Sequence, residues 1–353
     1  MIKVINVISD TNIGGAGKCL ITYAEHADRS NFDLSVVLPS GSLLKPYLEK
    51  LGTRIIEIDG LSDKSLDFGA IAKLKEIFKR EKPDLVHSHA SMSARIAAKQ
   101  CGIRIMYTRH SVFPPSAKIS EGIGKKINGF INNHYADGII AVAEAAKQNL
   151  LDTGIDEKKI KVILNGVKPL ERASDAVITS TRKQFGICDD EKVVAIVARL
   201  NPVKGHEYFI RAAKAVAQRG IKAKFIIAGT GDIENELKQL AHEIGADNVI
   251  FAGFVDDVPS LMSICDLQVN ASYGTEATSL SLLEGMSLGI PAVVSDFGGN
   301  PGVISSGENG IIVPQKMRTQ LQLLCVTCLK MTLLWRKCRQ VQGKFLTKNL
   351  KQR

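Results

Sequence analysis

Val193-Val-Ala-Ile-Val-Ala-Arg199-Leu-Asn-Pro-Val-Lys204-Gly205 is the stretch on which the fold turns. Its first six residues are apolar and mostly β-branched, with no polar alternation, so they read as a strand buried on both faces. Pro202 and Gly205 then bend the chain into residues 205–219, where apolar positions recur at helical spacing. The same unit repeats in both directions. Apolar runs at 3–8, 34–38, 54–57, 84–88, 104–108, 138–142 and 161–164, then at 193–198, 223–228, 248–251, 266–270, 292–295 and 310–313, alternate with amphipathic stretches such as 69–80 and 233–244. This alternation predicts an α/β protein of doubly wound parallel sheets covered by helices on both faces. With 353 residues the chain is too long for one ordinary core and suits two domains. A polar stretch follows Leu164-Asn-Gly-Val167 and runs to about residue 190, which divides the chain into domains 1–167 and 168–316. Ligand is then expected between the carboxyl ends of the two sets of strands.

Hydrophobic content of 45% and charged content of 23% are those of a globular protein, and no run reaches the roughly 20 apolar residues of a membrane span. The apolar start Met1-Ile-Lys-Val-Ile-Asn-Val-Ile-Ser9 is too short for a signal peptide, so the expected location is cytoplasmic. Seven cysteines without framework spacing argue for reduced thiols. The net charge of +10 comes almost wholly from residues 317–353, which hold nine Lys/Arg and no acid. The rest of the chain carries 37 basic and 36 acidic residues, so no nucleic-acid partner is expected.

Chemistry concentrates after particular strands. Arg199 and Lys204 place two cations at a helix start, which suits a diphosphate as well as it suits a solvated loop. Glu276-Ala-Thr-Ser-Leu-Ser-Leu-Leu-Glu284 brings two carboxylates, acceptors for sugar hydroxyls. On one unbroken helix they would diverge by roughly 80°, so both serve one ligand only if Glu276 precedes the helix and Ala277–Leu280 form its first turn. Their plain alternative is a first-turn acid and an exposed helix face. Asp10-Thr-Asn-Ile-Gly14-Gly15-Ala-Gly17-Lys18-Cys19 follows the first strand, and its glycines would let amides approach an anion or simply make a tight turn. Asn12 and Cys19 exclude a P-loop, and the glycine spacing excludes a dinucleotide fingerprint. His87-Ser-His89 and Arg109-His110-Ser111 end two strands of the first domain; a metal role for the first pair lacks a third ligand. His26, His134, His206 and His242 read as surface or packing residues. Gly229-Thr-Gly231-Asp232 and Gly253-Phe-Val255-Asp256 are turns on which a nucleobase could rest, or turns alone.

In order and spacing these motifs resemble the family-four glycosyltransferases over roughly residues 3–316. The residues that carry it are Gly14-Gly15, Arg109-His110-Ser111, Asn165-Gly166-Val167, Val197-Ala-Arg199 with Lys204-Gly205, Gly253-Phe-Val255, and Glu276 through Glu284-Gly-Met-Ser-Leu-Gly-Ile-Pro291. The resemblance implies a GT-B fold of two Rossmann-like domains and retaining transfer from a nucleotide-diphospho-sugar, UDP-linked by preference, to a glycan or lipid-linked acceptor in cell-surface polysaccharide synthesis. It implies no metal and no cofactor. Arg199 and Lys204 would neutralise the leaving diphosphate, and Glu284 would hold the ribose. Glu276 and the amides of Thr278, Ser279 and Leu280 would hold the transferred sugar, and Val255 would read the base. His110 would face the reacting centre, and Gly15 the phosphates or acceptor. Many relatives carry Gly or Pro where Thr278 and Ser279 stand, a departure that bears on sugar preference. Alternatives are a nucleotide-sugar epimerase and a catalytically impaired nucleotide-sugar-binding protein.

Residues 317–353 depart further. The family pattern leads to expect an acidic, alanine-rich helical ending, whereas this stretch is basic and holds Cys325, Cys328, Cys338 and Trp335. Back-translation with permissible codons, read one base earlier, gives DADAIAAAVRDLFEDD and a similar continuation. The tail therefore reads as out of frame. Contact of a basic tail with anionic lipid at the inner membrane face is the other expectation.

Overall fold

The computed structural model describes residues 1–61, 66–89 and 91–315. The calls on the stretch 317–353 lie outside them. The chain divides into two compact units, Met1–Asn165 and the part from Gly166 onward. All thirteen apolar runs are strands: β1 (Ile2–Ile8), β2 (Phe32–Pro39), β3 (Arg54–Ile58), β4 (Leu85–His89), β5 (Arg104–Arg109), β6 (Gly138–Ala141) and β7 (Ile160–Val162) in the first unit, with β8 (Lys192–Val197), β9 (Ala223–Ala228), β10 (Val249–Gly253), β11 (Leu267–Asn270), β12 (Ala292–Ser295) and β13 (Gly310–Val313) in the second.

The first sheet has the order β3-β2-β1-β4-β5-β6-β7 and the second β10-β9-β8-β11-β12-β13. Every pairing is parallel. Parallel neighbours need crossover connections, and helices supply them on both faces. In the first unit Ile5, Val7, Val86 and Ile105 pack against Leu74 and Phe78 of the helix Phe68–Glu81. In the second, Val194, Ile196, Phe225 and Ile227 pack against Phe209 and Ala213 of the helix His206–Gln218, with the Phe209 and Phe225 rings edge to face at 5.1 Å.

The consequence for function is where the winding reverses. In the first sheet that happens between β1 and β4, in the second between β8 and β11. At such a point the loops leaving the two strands diverge to opposite faces and open a crevice at the carboxyl edge. Gly14-Gly15 follows β1, His87-Ser-His89 ends β4, Arg199 and Lys204 follow β8, and Glu276 follows β11.

Candidate functional site

In the second unit the loop after β8 is locked from both sides. Ala198 donates its amide to the Ala228 carbonyl and Leu200 to that of Thr230. Gly229, at φ +141°, and Gly231 lie so close that a Cβ on either would collide with the Ala198 or Leu200 carbonyl. These glycines are thus required by loop packing. The Asn201 side chain accepts from the Val203 amide and caps the short turn Pro202–Lys204. Gly205 closes it at φ +73°, against the carbonyl and Cβ of Ala271. That contact lays the β8 loop on the β11 loop, where Tyr273 donates its amide to the Val203 carbonyl at 2.9 Å.

Lys204 and Glu276 meet there. The ammonium donates to Glu276 Oε2 and to the Thr275 carbonyl, both at 3.0 Å. The same carboxylate oxygen accepts from Asn270 Nδ2 and Ser272 Oγ, each at 3.2 Å. Glu276 is 8% exposed. A buried carboxylate is tolerable because one cation and two neutral donors replace its water. Sequence reading gave Lys204 to phosphate and Glu276 to sugar; the structure makes them one ion pair. Arg199, two residues beyond β8, is exposed and makes no side-chain hydrogen bond or ion pair among the described residues. Behind Glu276, Gly299 donates its amide to the Glu276 carbonyl at 3.2 Å, and Gly298, at φ +61°, comes too close to that carbonyl for any Cβ.

The next helix begins later than its sequence suggested. Its span is Leu280–Ser287, with Ser279 as N-cap accepting from the Leu282 amide at 3.3 Å. Ala277–Ser279 therefore lead into the helix and do not form its first turn. Serine wins the boundary because its oxygen satisfies an otherwise orphaned amide. Glu276 still precedes the helix, and the amides of Leu280 and Ser281 stay outside the helical ladder. Ser281 donates its hydroxyl to the Val197 carbonyl at 2.8 Å, pinning the helix start to the end of β8. Glu284, half-buried, is three residues on and so shares that helix face. Arg199, Lys204, Glu276 and Glu284 are thus gathered around the ends of β8 and β11. Asn270, Ser272, Gly298 and Gly299 were missed in sequence, although an Asn closing an apolar strand is a readable signal. Val255 follows β10, half-buried against the core cluster that includes Ile226 and Leu261.

In the first unit Asp10 accepts from the Asn12 amide, and Gly14 caps the helix Gly15–His26. A Cβ on Gly17 would displace the end of the buried Leu44 side chain, whereas a Cβ on Gly15 would meet no protein atom within 4 Å. His89 Nδ1 and His110 Nε2 are 2.9 Å apart with stacked rings, His89 Nε2 lies 3.4 Å from Asn6 Oδ1, and His87 Nε2 lies 2.7 Å from Thr108 Oγ1. With Asn6 Oδ1 accepting from His89 Nε2, His89 Nδ1 must accept from His110 Nε2. His110 Nδ1 is then a bare acceptor, buried and without a partner among the described residues. Burial lowers the pKa of His87 and His110 to about 4 and that of His89 further, so all three are neutral at pH 7. Among the described residues no group of three His, Cys, Asp or Glu is arranged to hold a metal ion, and no helix is long and apolar enough to cross a membrane.

Two family models match the chain: Glycosyltransferase Family 4 over residues 13–169 and Glycosyl transferases group 1 over residues 177–327. The chain belongs to the family-four glycosyltransferases. An uncharacterised glycosyltransferase of Methanocaldococcus jannaschii is 32% identical to this glycosyltransferase over 249 residues. That match covers 67% of this chain and 63% of the relative, under two thirds of the relative's length. A UDP-Gal:alpha-D-GlcNAc-diphosphoundecaprenol alpha-1,3-galactosyltransferase of Escherichia coli is 26% identical over 329 residues, 88% of this chain and 84% of that enzyme. The crystal structure of Anabaena HepE in complex with UDP-glucose is similar with a TM-score of 0.84 at 24% identity, over 99% of this chain and 98% of that one. The fold is GT-B.

Proposed function

We propose that this glycosyltransferase transfers a sugar, with retention, from a nucleotide-diphospho-sugar to a glycan or lipid-linked acceptor at the inner membrane face, in cell-surface polysaccharide synthesis. The observation that carries the reading is the grouping of Arg199, Lys204, Glu276 and Glu284 where the second sheet reverses its winding. A diphosphate leaving group develops negative charge, and two cations held beside helix amides answer it. Arg199 is available to the phosphates, and Lys204 can share its charge between them and Glu276. The carboxylates of Glu276 and Glu284 suit hydroxyls of the sugar and ribose, and the amides of Leu280 and Ser281 with Thr278 and Ser279 border them. Val255 would meet the base through its backbone. His110, a neutral acceptor at Nδ1, suits a sugar hydroxyl, and Gly15 gives a phosphate or acceptor close access to backbone.

Uridine as the base is favoured by the UDP and UDP-glucose bound in the HepE structures and by the UDP-Gal donor in the name of the E. coli relative. Neither a metal nor a cofactor is part of the proposal, since two cations can balance the diphosphate. The basic tail favours a second reading: a damaged ending that leaves a nucleotide-sugar-binding protein of impaired turnover. Resequencing the gene across the codons for Pro314 to Thr319 tests that frame; an intact frame removes the second reading.

A screen of nucleotide-sugars by thermal shift, followed by an assay of nucleoside diphosphate release with and without acceptor, tests the function. A donor at 100 times its dissociation constant adds about 2.7 kcal/mol to stability. We expect UDP-sugars to raise the melting temperature, and acceptor-dependent, EDTA-insensitive release of UDP. No stabilisation by any nucleotide-sugar would refute the reading.

A further inference from the structure

Two arginines of the first unit are withdrawn from water with no carboxylate beside them among the described residues. Arg95, on the helix Met92–Gln100, is 4% exposed, with its guanidinium 4.2 Å above the Tyr107 ring. Its bonds are complete: Nε donates to the Tyr135 carbonyl, Nη2 to that of Asn132 and Nη1 to the Asn132 side chain. Arg109, half-buried at the carboxyl end of β5, is held differently. Its Nη2 donates at 3.1 Å to Asn149 Oδ1, on the helix Glu144–Asp152, and Asn149 donates in turn at 2.7 Å to the Phe113 carbonyl. The Phe113 ring lies 5.2 Å from the guanidinium. Arg109 Nε is buried and bonds to nothing among the described residues. A neutral amide and a ring therefore fix this guanidinium without balancing its charge. Burial lowers the pKa of both arginines, and the Arg109 charge also lowers that of Arg95. Only the Tyr107 phenol acts the other way, and burial raises its own pKa, which keeps it neutral. A buried cation and an unmet donor cost stability unless a ligand supplies the missing charge.

We propose that Arg109 receives the phosphate or diphosphate of a phosphate-bearing acceptor, at the loop that follows β5. A guanidinium fork matches phosphate oxygens, and a doubly charged group balances Arg95 and Arg109 together, which a single carboxylate does not. The site lies at the carboxyl edge of the first sheet, one residue before His110, where loops of such sheets carry ligands. An acceptor as the source of the phosphate rests on the sugar transfer proposed above; the anion site itself does not.

The test is calorimetric titration of inorganic pyrophosphate, and of isopentenyl diphosphate as a diphosphate ester, into the full chain with UDP present in excess to fill the donor site. The wild type is compared with Arg109→Gln and with Asn149→Asp, which sets a carboxylate against the guanidinium and neutralises it within the fold. All three proteins retain residues 317–353, so any uptake by that basic stretch cancels. The wild type should bind both titrants, and each variant should lose roughly tenfold or more in affinity for them with UDP affinity unchanged. Arg109→Gln should melt no lower than the wild type, since it removes a charge that nothing in the protein balances. Equal affinity for pyrophosphate in the wild type and either variant overturns the proposal. Uptake of pyrophosphate with exclusion of the ester overturns the acceptor as its source. Failure of UDP to bind refutes the donor reading alone, because uptake that depends on Arg109 is still read as the difference between wild type and variants.

Discussion

Histidine at position 206 shows how much a single residue's surroundings matter. It starts the helix behind the Lys204 loop and is 1% exposed. Burial, aided by the Lys204 charge, lowers its pKa to about 4, and burial does the same to His87 and His110. Each ring is neutral in the fold and takes a proton at ordinary pKa, 6.5, once the chain unfolds. The unfolded state then binds more protons, so stability is complete above pH 6.5 and is lost as pH falls toward 4. Glu81 acts in a lower window. Arg54 chiefly, with Lys3 and Arg80, holds its pKa at about 2, so its contribution is lost only below the ordinary 4.5. The expected outcome is an unfolding free energy that drops between pH 6.5 and 5 by up to about 1.4 kcal/mol per pH unit per ring, read as a falling melting temperature with a shallower slope in His206→Gln. A flat profile over that range would contradict the neutral, buried assignment. The linkage of Asn6, His89 and His110 could not be read along the chain, because it depends on β1, β4 and β5 lying side by side with His89 opposite both Ile8 and Thr108. Each histidine was legible as a strand-end polar group; their partnership was not.

At the scale of elements, thirteen strands were legible because each is a short apolar run bounded by turn residues, and burial on both faces leaves no other pattern available. The start of the helix Leu280–Ser287 was not. Sequence reading put Ala277–Leu280 in the first turn, whereas Ser279 caps the helix and Ser281 bonds to the Val197 carbonyl at the end of β8, a contact that only the fold brings about. The loop glycines divide in the same way. Gly205 could be read as a bend, but its real constraint is the Ala271 carbonyl across the switch point together with φ +73°. A Gly205→Val substitution adds left-handed strain and overpacking at once and should cost about 2–4 kcal/mol. Chemical denaturation measures it; an unchanged midpoint would mean that the β8 and β11 loops do not brace each other.

At the scale of the molecule, two doubly wound units were predictable from alternation and length, and the comparisons with known glycosyltransferases agree with that architecture. Sequence also supplied four candidate site residues of the second unit, Arg199, Lys204, Glu276 and Glu284, since strand-end loops are where such sheets carry function. It did not supply their mutual arrangement. Lys204 already holds Glu276, while Arg199 makes no such bond among the described residues, so on the proposed function Arg199 is the cation that meets the diphosphate first. The most direct measurement is calorimetric titration of UDP and of uridine into the wild type, Arg199→Ala and Glu284→Gln. The account predicts that Arg199→Ala weakens UDP by roughly tenfold or more, about 1.4 kcal/mol, leaving uridine unchanged, while Glu284→Gln weakens both ligands. UDP affinity equal in all three proteins would contradict it.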